Sequence, residues 1–340
     1  MTIPADLAAP RRADAMIDGF GRRISYVRIS VTDRCDLRCR YCMTERMRFM
    51  PRRDLLEFDE IVSLADILIA RGVRRIRLTG GEPLVRRGIE GLVAALGTRI
   101  GRGLDELTLT TNGMRLEQFA GALRRAGVAR VNVSLDSLEP AGFAHITRGG
   151  DLAQVLKGIA AATDEGLRIK INMVALAGLN ADQIKPMMRW CAAQGHGLTL
   201  IETMPLGWVE EDRTSHYLPL DQVRRELAER YTLTPSISRT GGPARYFDVK
   251  ELGLTLGFIT PLTENFCEGC NRIRIAADGS VYGCLGQDQK VELREALRGG
   301  GGAAVEALFD CLLAGKPRRH DFRIDAAEPA VERHMSVTGG

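Results

Sequence analysis

Six of the eight cysteines fall into two groups whose spacing can do chemistry. Cys35, Cys39 and Cys42 lie on one short stretch, as Cys-x-x-x-Cys-x-x-Cys. Cys267 and Cys270 are spaced Cys-x-x-Cys, and Cys284 follows after a gap. Eight cysteines are too sparse for a disulfide scaffold in a chain of 340 residues. Clustered thiols in a reducing compartment instead point to metal or redox chemistry. Three thiolates are one short of a structural zinc site. They are also one short of the usual ligand set of a [4Fe–4S] cube, so a cube held by three keeps one iron open to another ligand. For the second group, a zinc ribbon lacking its fourth ligand is the competing reading, and no histidine stands near it in the sequence, His216 and His320 being distant.

The elements that must position these thiols alternate. Strand patterns at 24–30, 73–79, 106–111, 128–134, 167–174 and 198–203 are interleaved with helical patterns at 59–71, 88–98, 115–126, 151–165 and 181–194. In the first helix, Ile61, Leu64, Ala65 and Leu68 repeat along one face, with Asp59 placed to cap it. Strict alternation predicts a parallel α/β sheet, either open or closed as a barrel. Strands buried on both faces should be almost wholly aliphatic. Here Val27 and Ile29 alternate with Arg28 and Ser30, Ile76 and Leu78 with Arg77 and Thr79, and Leu107 and Leu109 with Thr108 and Thr110. Val131 and Val133 alternate with Asn132 and Ser134, and Ile169 and Ile171 with Lys170 and Asn172. Since side chains alternate across a strand, the apolar faces pack on helices and the polar faces look into one shared, wet lumen. Arg28, Arg77 and Lys170 share that face with Asp136 as the only nearby inward acid, so an anion is expected to neutralise them. The first cysteine group follows the first strand directly, where active-site loops sit on a βα barrel.

Beyond about residue 230 the pattern breaks at Thr240-Gly241-Gly242-Pro243. Residues 272–276 and 280–284 flank Ala277-Asp278-Gly279 as a hairpin. Asn271-Arg272-Ile273-Arg274 starts straight after Cys270 and puts both arginines on one side of a strand. The end from Lys316 onward reads as lightly structured. Expected divisions are an N-terminal tail (1–22), a partial barrel (23–235) and a C-terminal region (236–340).

Apolar residues make up 45% and charged residues 26% of the chain, which excludes disordered and fibrous classes. The net charge of +4 is too mild for a nucleic-acid surface. No apolar run reaches the length of a membrane helix. The first residues lack the apolar core of a secretion signal, so a cytoplasmic protein is expected.

The first cysteine group, with Tyr41 before its last thiol, resembles the radical S-adenosylmethionine (SAM) superfamily, and Thr79-Gly80-Gly81-Glu82-Pro83 looks like its glycine-rich turn. The run Arg28-Ile29-Ser30-Val31-Thr32-Asp33-Arg34-Cys35, together with Thr110-Thr111-Asn112-Gly113, Asn132–Asp136, Phe266-Cys267, Tyr282-Gly283-Cys284-Leu285 and the terminal Gly339-Gly340, resembles the GTP 3′,8-cyclase family within it. The resemblance implies an incomplete (β/α)6 TIM-type barrel with a C-terminal extension carrying a second iron–sulfur cluster. It implies that Cys35, Cys39 and Cys42 hold the SAM cluster, and that Tyr41, Gly81, Ser134 and Met204 contact SAM. Cys267, Cys270 and Cys284 would hold a second [4Fe–4S] cluster whose open iron meets guanine. Arg28, Arg77, Thr110, Lys170, Arg272, Ile273 and Arg274 would bind GTP, with Arg28, Arg272 and Arg274 at the reacting centre. Arg28 is a candidate proton donor there, although phosphate or ribose binding suits an arginine better.

The implied reaction is the first step of molybdenum cofactor biosynthesis. A 5′-deoxyadenosyl radical from SAM removes hydrogen from C3′ of GTP, C3′ joins C8, and one electron and one proton complete 3′,8-cyclo-7,8-dihydro-GTP. Implied partners are an electron donor and a downstream cyclic pyranopterin synthase, with no nucleic acid or membrane, the chain being a monomer or homodimer. The Gly-Gly end is expected to reach into the active site. Two positions depart from the family: Thr199 where a basic residue is frequent, and Asp36 where Asn is common. The rivals are a radical SAM enzyme with an auxiliary cluster acting on another substrate, such as a peptide, and a non-catalytic zinc or nucleic-acid module.

Overall fold

In the computed structural model, which describes residues 15–238, 240–326 and 328–339, all of the expected strands and helices form. Their order is β1 (Tyr26–Ser30), α1 (Phe58–Ala70), β2 (Arg75–Thr79), α2 (Ile89–Gly97), β3 (Glu106–Thr111), α3 (Leu116–Arg125) and β4 (Arg130–Ser134). Then come α4 (Pro140–Thr147), α5 (Leu152–Asp164), β5 (Arg168–Ala175), α6 (Ile184–Gln194), β6 (Gly197–Glu202) and α7 (Leu220–Ala228). Ile61, Leu64, Ala65 and Leu68 are fully buried, as the periodicity of α1 requires. Its cap differs from expectation. Asp59 lies inside the first turn, and the Glu60 carboxylate accepts from the Glu57 N–H at 2.6 Å, which moves the helix start upstream. In α5 the Asp151 carboxylate caps the free N–H of Ala153 at 2.9 Å.

The C-terminal region adds β7 (Leu233–Pro235), β8 (Arg245–Val249), β9 (Leu254–Ile259), β10 (Arg272–Ile275), β11 (Ser280–Tyr282), β12 (Lys290–Glu292), α8 (Gly301–Ala314) and α9 (Met335–Thr338). One sheet runs in the order β12-β11-β10-β1-β2-β3-β4-β5-β6-β9-β8-β7. The six-stranded parallel core is therefore prolonged at both ends. β10 pairs parallel with β1, and β9 pairs parallel with β6. Among the described residues, hydrogen bonding does not join the two ends of the sheet, so the barrel stays open. The division expected near residue 235 is crossed by this continuous sheet. β10 and β11 form the expected hairpin, with Gly279 at φ +87° in its turn.

The apolar faces behave as the alternation demands. Val27, Ile29, Ile76, Leu78, Leu107, Leu109, Val131, Val133, Ile169 and Ile171 all enter one core beneath the helices. Full burial of each such side chain stabilises by about 1.5–3 kcal/mol. Register then aligns the polar face. Arg28 stands opposite Arg77 and Arg274, Thr110 opposite Asn132, Asn132 opposite Lys170, and Asn172 opposite Thr199. Among the described residues, no helix is long and apolar enough to cross a membrane.

Candidate active site

The loop leaving β1 is fastened by backbone contacts. Arg38 and Arg40 donate their N–H groups to the carbonyls of Thr147 and Ile146 at 3.1 and 3.0 Å. These are end-of-helix carbonyls of α4, which lack intrahelical donors. On the other side, Gly81 N–H meets the Thr32 carbonyl at 2.8 Å, and Glu82 N–H the Arg34 carbonyl at 2.8 Å. A Cβ on Gly81 would lie 2.4 Å from the Arg34 carbonyl oxygen, and one on Gly80 2.4 Å from that of Thr32. The glycine turn thus lets two main chains touch, whatever else it approaches.

Cys35, Cys39 and Cys42 line one chamber with Tyr41, Gly81, Thr110, Ser134 and Met204. The Cys35 sulfur accepts from Leu37 N–H at 3.4 Å and from Asn112 Nδ2 at 3.7 Å. Burial pushes all three thiols up, Cys42 to about 12, with neighbouring thiols and carboxylates adding to the effect at Cys35 and Cys39. Bare, they stay protonated; a cationic iron site would displace those protons. Three half-buried cysteines on one loop, with N–H donors aimed at the Cys35 sulfur, fit a thiolate-ligated cluster. Asp36, the departure beside the cluster loop, accepts from Asn112 Nδ2 at 2.7 Å and pairs with Arg115 at 3.5 Å, so its charge is answered locally. Tyr41 donates to Asp136 at 2.8 Å, and Val174 N–H donates to the other carboxylate oxygen. Burial raises Asp136 to about 6 despite both bonds. Asp136 is therefore tied to Tyr41 and Val174 and does not answer the lumen cations.

Cys267, Cys270 and Cys284 line a second chamber together with Arg28, Arg77, Lys170, Arg272 and Arg274. Asn172, Ile201 and Met204 belong to the walls of both chambers, which therefore adjoin. Burial pushes the Cys270 thiol up, but Arg272 and Lys316 outweigh it and hold it down at about 7. Lys316 donates to the Gly283 carbonyl at 2.6 Å and approaches the Cys270 sulfur at 3.6 Å. Arg22, at the end of the expected tail, donates to the carbonyls of Cys267 and Pro317, tying the thiol loop to the segment after α8; residues 1–14 lie outside the described residues. Among the described residues, no three or more His, Cys, Asp or Glu are arranged to hold a single metal ion. One expectation is corrected. His320 is distant in sequence, yet the fold brings it into the wall of the second chamber, stacked on Phe322 with ring centroids 4.1 Å apart. Its buried Nε2 has no partner among the described residues.

The alternation reading of the lumen is answered residue by residue. Arg77 reaches Thr108 Oγ1 at 3.3 Å and sits over the Tyr26 ring, 5.5 Å from its centroid. Both contacts are neutral. Burial pulls Arg28 down to about 10; Tyr26 opposes the pull, and Arg77 and Arg272 add to it. Burial likewise lowers Lys170 and Arg274, with surrounding arginines reinforcing it. No carboxylate lines this chamber among the described residues, and the neighbour that steadies Arg28 is the Tyr26 phenol. Such a set of desolvated like charges fits a polyanionic ligand. Two expected contacts are placed differently. Thr110 lines the first chamber, where its buried hydroxyl lacks a partner. Ile273 turns its side chain into the core, because it sits one residue out of phase with Arg272 and Arg274.

The C-terminal end has little secondary structure but is pinned. Ala330 N–H meets the Pro205 carbonyl at 2.9 Å, and Arg333 binds Asp288 at 2.6 Å and lies 3.9 Å over the Tyr282 ring. From α9 the chain enters the lumen. The Gly339 carbonyl accepts from Arg274 at 2.9 Å, and a Cβ on Gly339 would lie 2.1 Å from Thr79 Cγ2. Gly340 lies outside the described residues.

Comparison with known proteins agrees with this architecture. Residues 29–191 match the Radical SAM superfamily, and residues 196–322 match Molybdenum Cofactor Synthesis C. The GTP 3′,8-cyclase of Erythrobacter litoralis (strain HTCC2594) is 56% identical over 330 residues, covering 96% of this chain and 99% of its own. That of Rhizobium etli (strain CIAT 652) is 54% identical over 338 residues, covering 98% and 97%. That of Caulobacter vibrioides is 52% identical over 335 residues, covering 98% and 96%. Streptococcus suis SuiB bound to S-adenosylmethionine is similar in fold, with a TM-score of 0.63 at 15% identity, covering 93% of this chain and 78% of that one. An open barrel with a three-thiol loop after β1, a C-terminal region that prolongs both sheet ends, and relatives alike along nearly their whole length lead to one conclusion: the chain belongs to the GTP 3′,8-cyclase family of the radical SAM superfamily.

Proposed function

We propose that this chain converts GTP to 3′,8-cyclo-7,8-dihydro-GTP, using SAM, in the first step of molybdenum cofactor biosynthesis. The carrying observation is that the two cysteine triads open onto adjoining chambers, the second walled by Arg28, Arg77, Lys170, Arg272 and Arg274 without a carboxylate among the described lining residues. Cys35, Cys39 and Cys42 would hold a [4Fe–4S] cluster, and Tyr41, Gly81, Ser134 and Met204, which line the same chamber, would position SAM beside it. Cys267, Cys270 and Cys284 would hold a second cluster, which would bind the guanine ring. When bound, the first cluster and SAM supply a 5′-deoxyadenosyl radical able to take hydrogen from ribose C3′.

The chain's own residues orient and enclose. The cations grip the triphosphate and so set the ribose beside the shared wall of Asn172, Ile201 and Met204. Arg guanidinium groups fork onto phosphate oxygens, which fixes direction as well as charge. Arg28, Arg272 and Arg274 stand nearest the reacting centre. Arg28 remains protonated near neutral pH even when lowered to about 10, so it acts there as a fixed charge. Thr110 contributes to the GTP site from the wall of the first chamber, and Ile273 offers only main chain. An external electron donor is needed, and a cyclic pyranopterin synthase consumes the product.

Anaerobic incubation of reconstituted protein with GTP, SAM and a reductant, followed by mass analysis, tests the reading. Cyclised nucleotide and 5′-deoxyadenosine are expected together; 5′-deoxyadenosine without cyclised nucleotide would favour the other-substrate rival. Arg77→Ala is expected to weaken GTP binding about 10- to 100-fold while leaving SAM binding nearly unchanged. Calorimetric titration checks this, and a larger loss for SAM would contradict the assignment of the chambers.

A further inference from the structure

His320 is held among the segments that carry the three thiols of the second chamber. Arg22 donates to the Cys267 carbonyl at 2.8 Å and, from the same guanidinium, to the carbonyls of Pro317 and Arg318 at 2.7 and 2.8 Å. Lys316 binds the Gly283 carbonyl, one residue before Cys284, and approaches the Cys270 sulfur. The stretch from Lys316 to Phe322 is thereby wrapped around the three cysteines. Gly286, two residues after Cys284, meets the stacked pair of His320 and Phe322. A Cβ there would stand 2.4 Å from Phe322 Cε1 and 2.9 Å from His320 Cβ. The bare glycine is what admits the two rings this close to the thiol loop.

The position of the imidazole proton follows from its other nitrogen. Nδ1 accepts from the Phe322 N–H at 3.4 Å. A ring nitrogen that accepts carries no proton, so the hydrogen sits on Nε2. Nε2 is buried and has no partner among the described residues. A buried donor left unanswered is costly. Because His320 lines the chamber, an acceptor carried by the ligand can answer it.

The cations of this chamber suit the phosphates, whereas a neutral N–H beside the thiols suits the base. Guanine presents a carbonyl at position 6, where adenine presents an amino group. A fixed N–H donor pairs with the carbonyl. Against an amine it stands donor to donor, and both groups stay unpaired in a desolvated place.

We propose that His320 Nε2–H donates to the 6-carbonyl of the purine, which makes His320 a specificity-determining residue that selects 6-oxopurine over 6-aminopurine nucleotides. The inference rests on the reading of this chamber as a GTP site. Phe322 acts through His320: its ring stacks on the imidazole with centroids 4.1 Å apart, and its N–H keeps Nδ1 an acceptor and Nε2 a donor.

Anaerobic equilibrium binding to the reconstituted protein, without reductant, tests this with GTP, ITP and the triphosphate of 2,6-diaminopurine riboside. ITP keeps the 6-carbonyl and lacks the 2-amino group of guanine. The diaminopurine nucleotide keeps the 2-amino group and carries an amine at position 6. Wild-type protein is expected to prefer GTP over the diaminopurine nucleotide by at least about thirtyfold. His320→Phe keeps a ring in the stack and should weaken GTP and ITP together about tenfold, with no loss for the diaminopurine nucleotide. The preference therefore falls at least about tenfold. His320→Gln, whose amide still offers a donor, should keep most of it. Gly286→Ala should follow His320→Phe, because its methyl displaces the stacked pair. Gly286 lies outside the left-handed region, so alanine adopts its backbone without strain. Iron content is measured alongside, and if His320→Phe loses iron, Gly286→Ala carries the test. SAM binding should not change in any of the three. A GTP-to-diaminopurine ratio unchanged in His320→Phe, or reduced as far in His320→Gln, overturns the assignment. Wild-type protein that fails to bind GTP overturns the cyclase reading itself, and this assignment with it.

Discussion

Replacing Cys267 by serine is expected to yield a protein with about four irons per chain instead of about eight, which still cleaves SAM slowly but makes no cyclised nucleotide. Cys267 is buried in the second chamber, and its carbonyl is anchored by Arg22 at 2.8 Å, so the loop keeps its course when the sulfur is lost. The first triad sits on a different loop, after β1, and meets the second chamber only through the shared wall. Loss should therefore be confined to one side. Arg28, Arg77 and Lys170 remain, so GTP still binds, but guanine loses the contact that fixes its distance from the first chamber. Small misplacements cost heavily when a reaction depends on near-contact geometry. A fall in product of at least about a thousandfold is expected. Iron analysis, 5′-deoxyadenosine release and mass analysis of the nucleotide read the three expectations separately. Normal cyclisation by this variant would refute the role of the second triad.

The second large effect is expected at Gly339→Val. Gly339 adopts φ +72°, where a β-branched residue is strained, and its position leaves no space for a side chain. Even a single Cβ would lie 2.1 Å from Thr79 Cγ2 and 2.4 Å from Thr79 Oγ1. Thr79 is buried at the end of β2, and its carbonyl accepts from Val31 N–H at 2.9 Å, so its backbone is held in place. The tail must withdraw instead, and Arg274 loses the Gly339 carbonyl that it holds at 2.9 Å. Arg274 is already a desolvated cation beside Arg28 and Arg272, so losing a neutral acceptor frees it to wander. Product formation is expected to drop about a hundredfold or more, while iron content and melting temperature stay near wild type. The anchors at Ala330 and Arg333 lie upstream and should survive. If cyclisation were unaffected, the tail would be packing rather than part of the active chamber.

His320 and Tyr246 show where reading the chain in order stops being informative. His320 stands far along the chain from the cysteines whose chamber it shares, and only the course of the segment after α8 brings it there. Tyr246 gains its place from Gly257 on a neighbouring strand and from Lys170 across the lumen. Neither has a local pattern to announce it. The orphaned Nε2 of His320 and the hydroxyl chain from Lys170 through Tyr246 to Thr240 appear only once the sheet is wound.

Local rules were enough for much else. The spacing of Cys35, Cys39 and Cys42 is confined to one loop, so its chemistry was legible directly. Period-two alternation marked Arg28, Arg77 and Lys170 as facing one lumen, because a strand has only two sides and the helices claim the apolar one. The same rule, applied to β10, separates Arg272 and Arg274 from Ile273. What alternation cannot report is which distant edges meet. The pairing of β10 with β1 and of β9 with β6, the commitment of Asp136 to Tyr41, the placement of Thr110 in the first chamber and the entry of Gly339 beside Thr79 were all decided by tertiary closure. The chain carries the period and the chemical groups of each element within a few residues. The distances that make those groups one site arise between segments hundreds of residues apart, through hydrogen bonding of sheet edges and burial of a shared core.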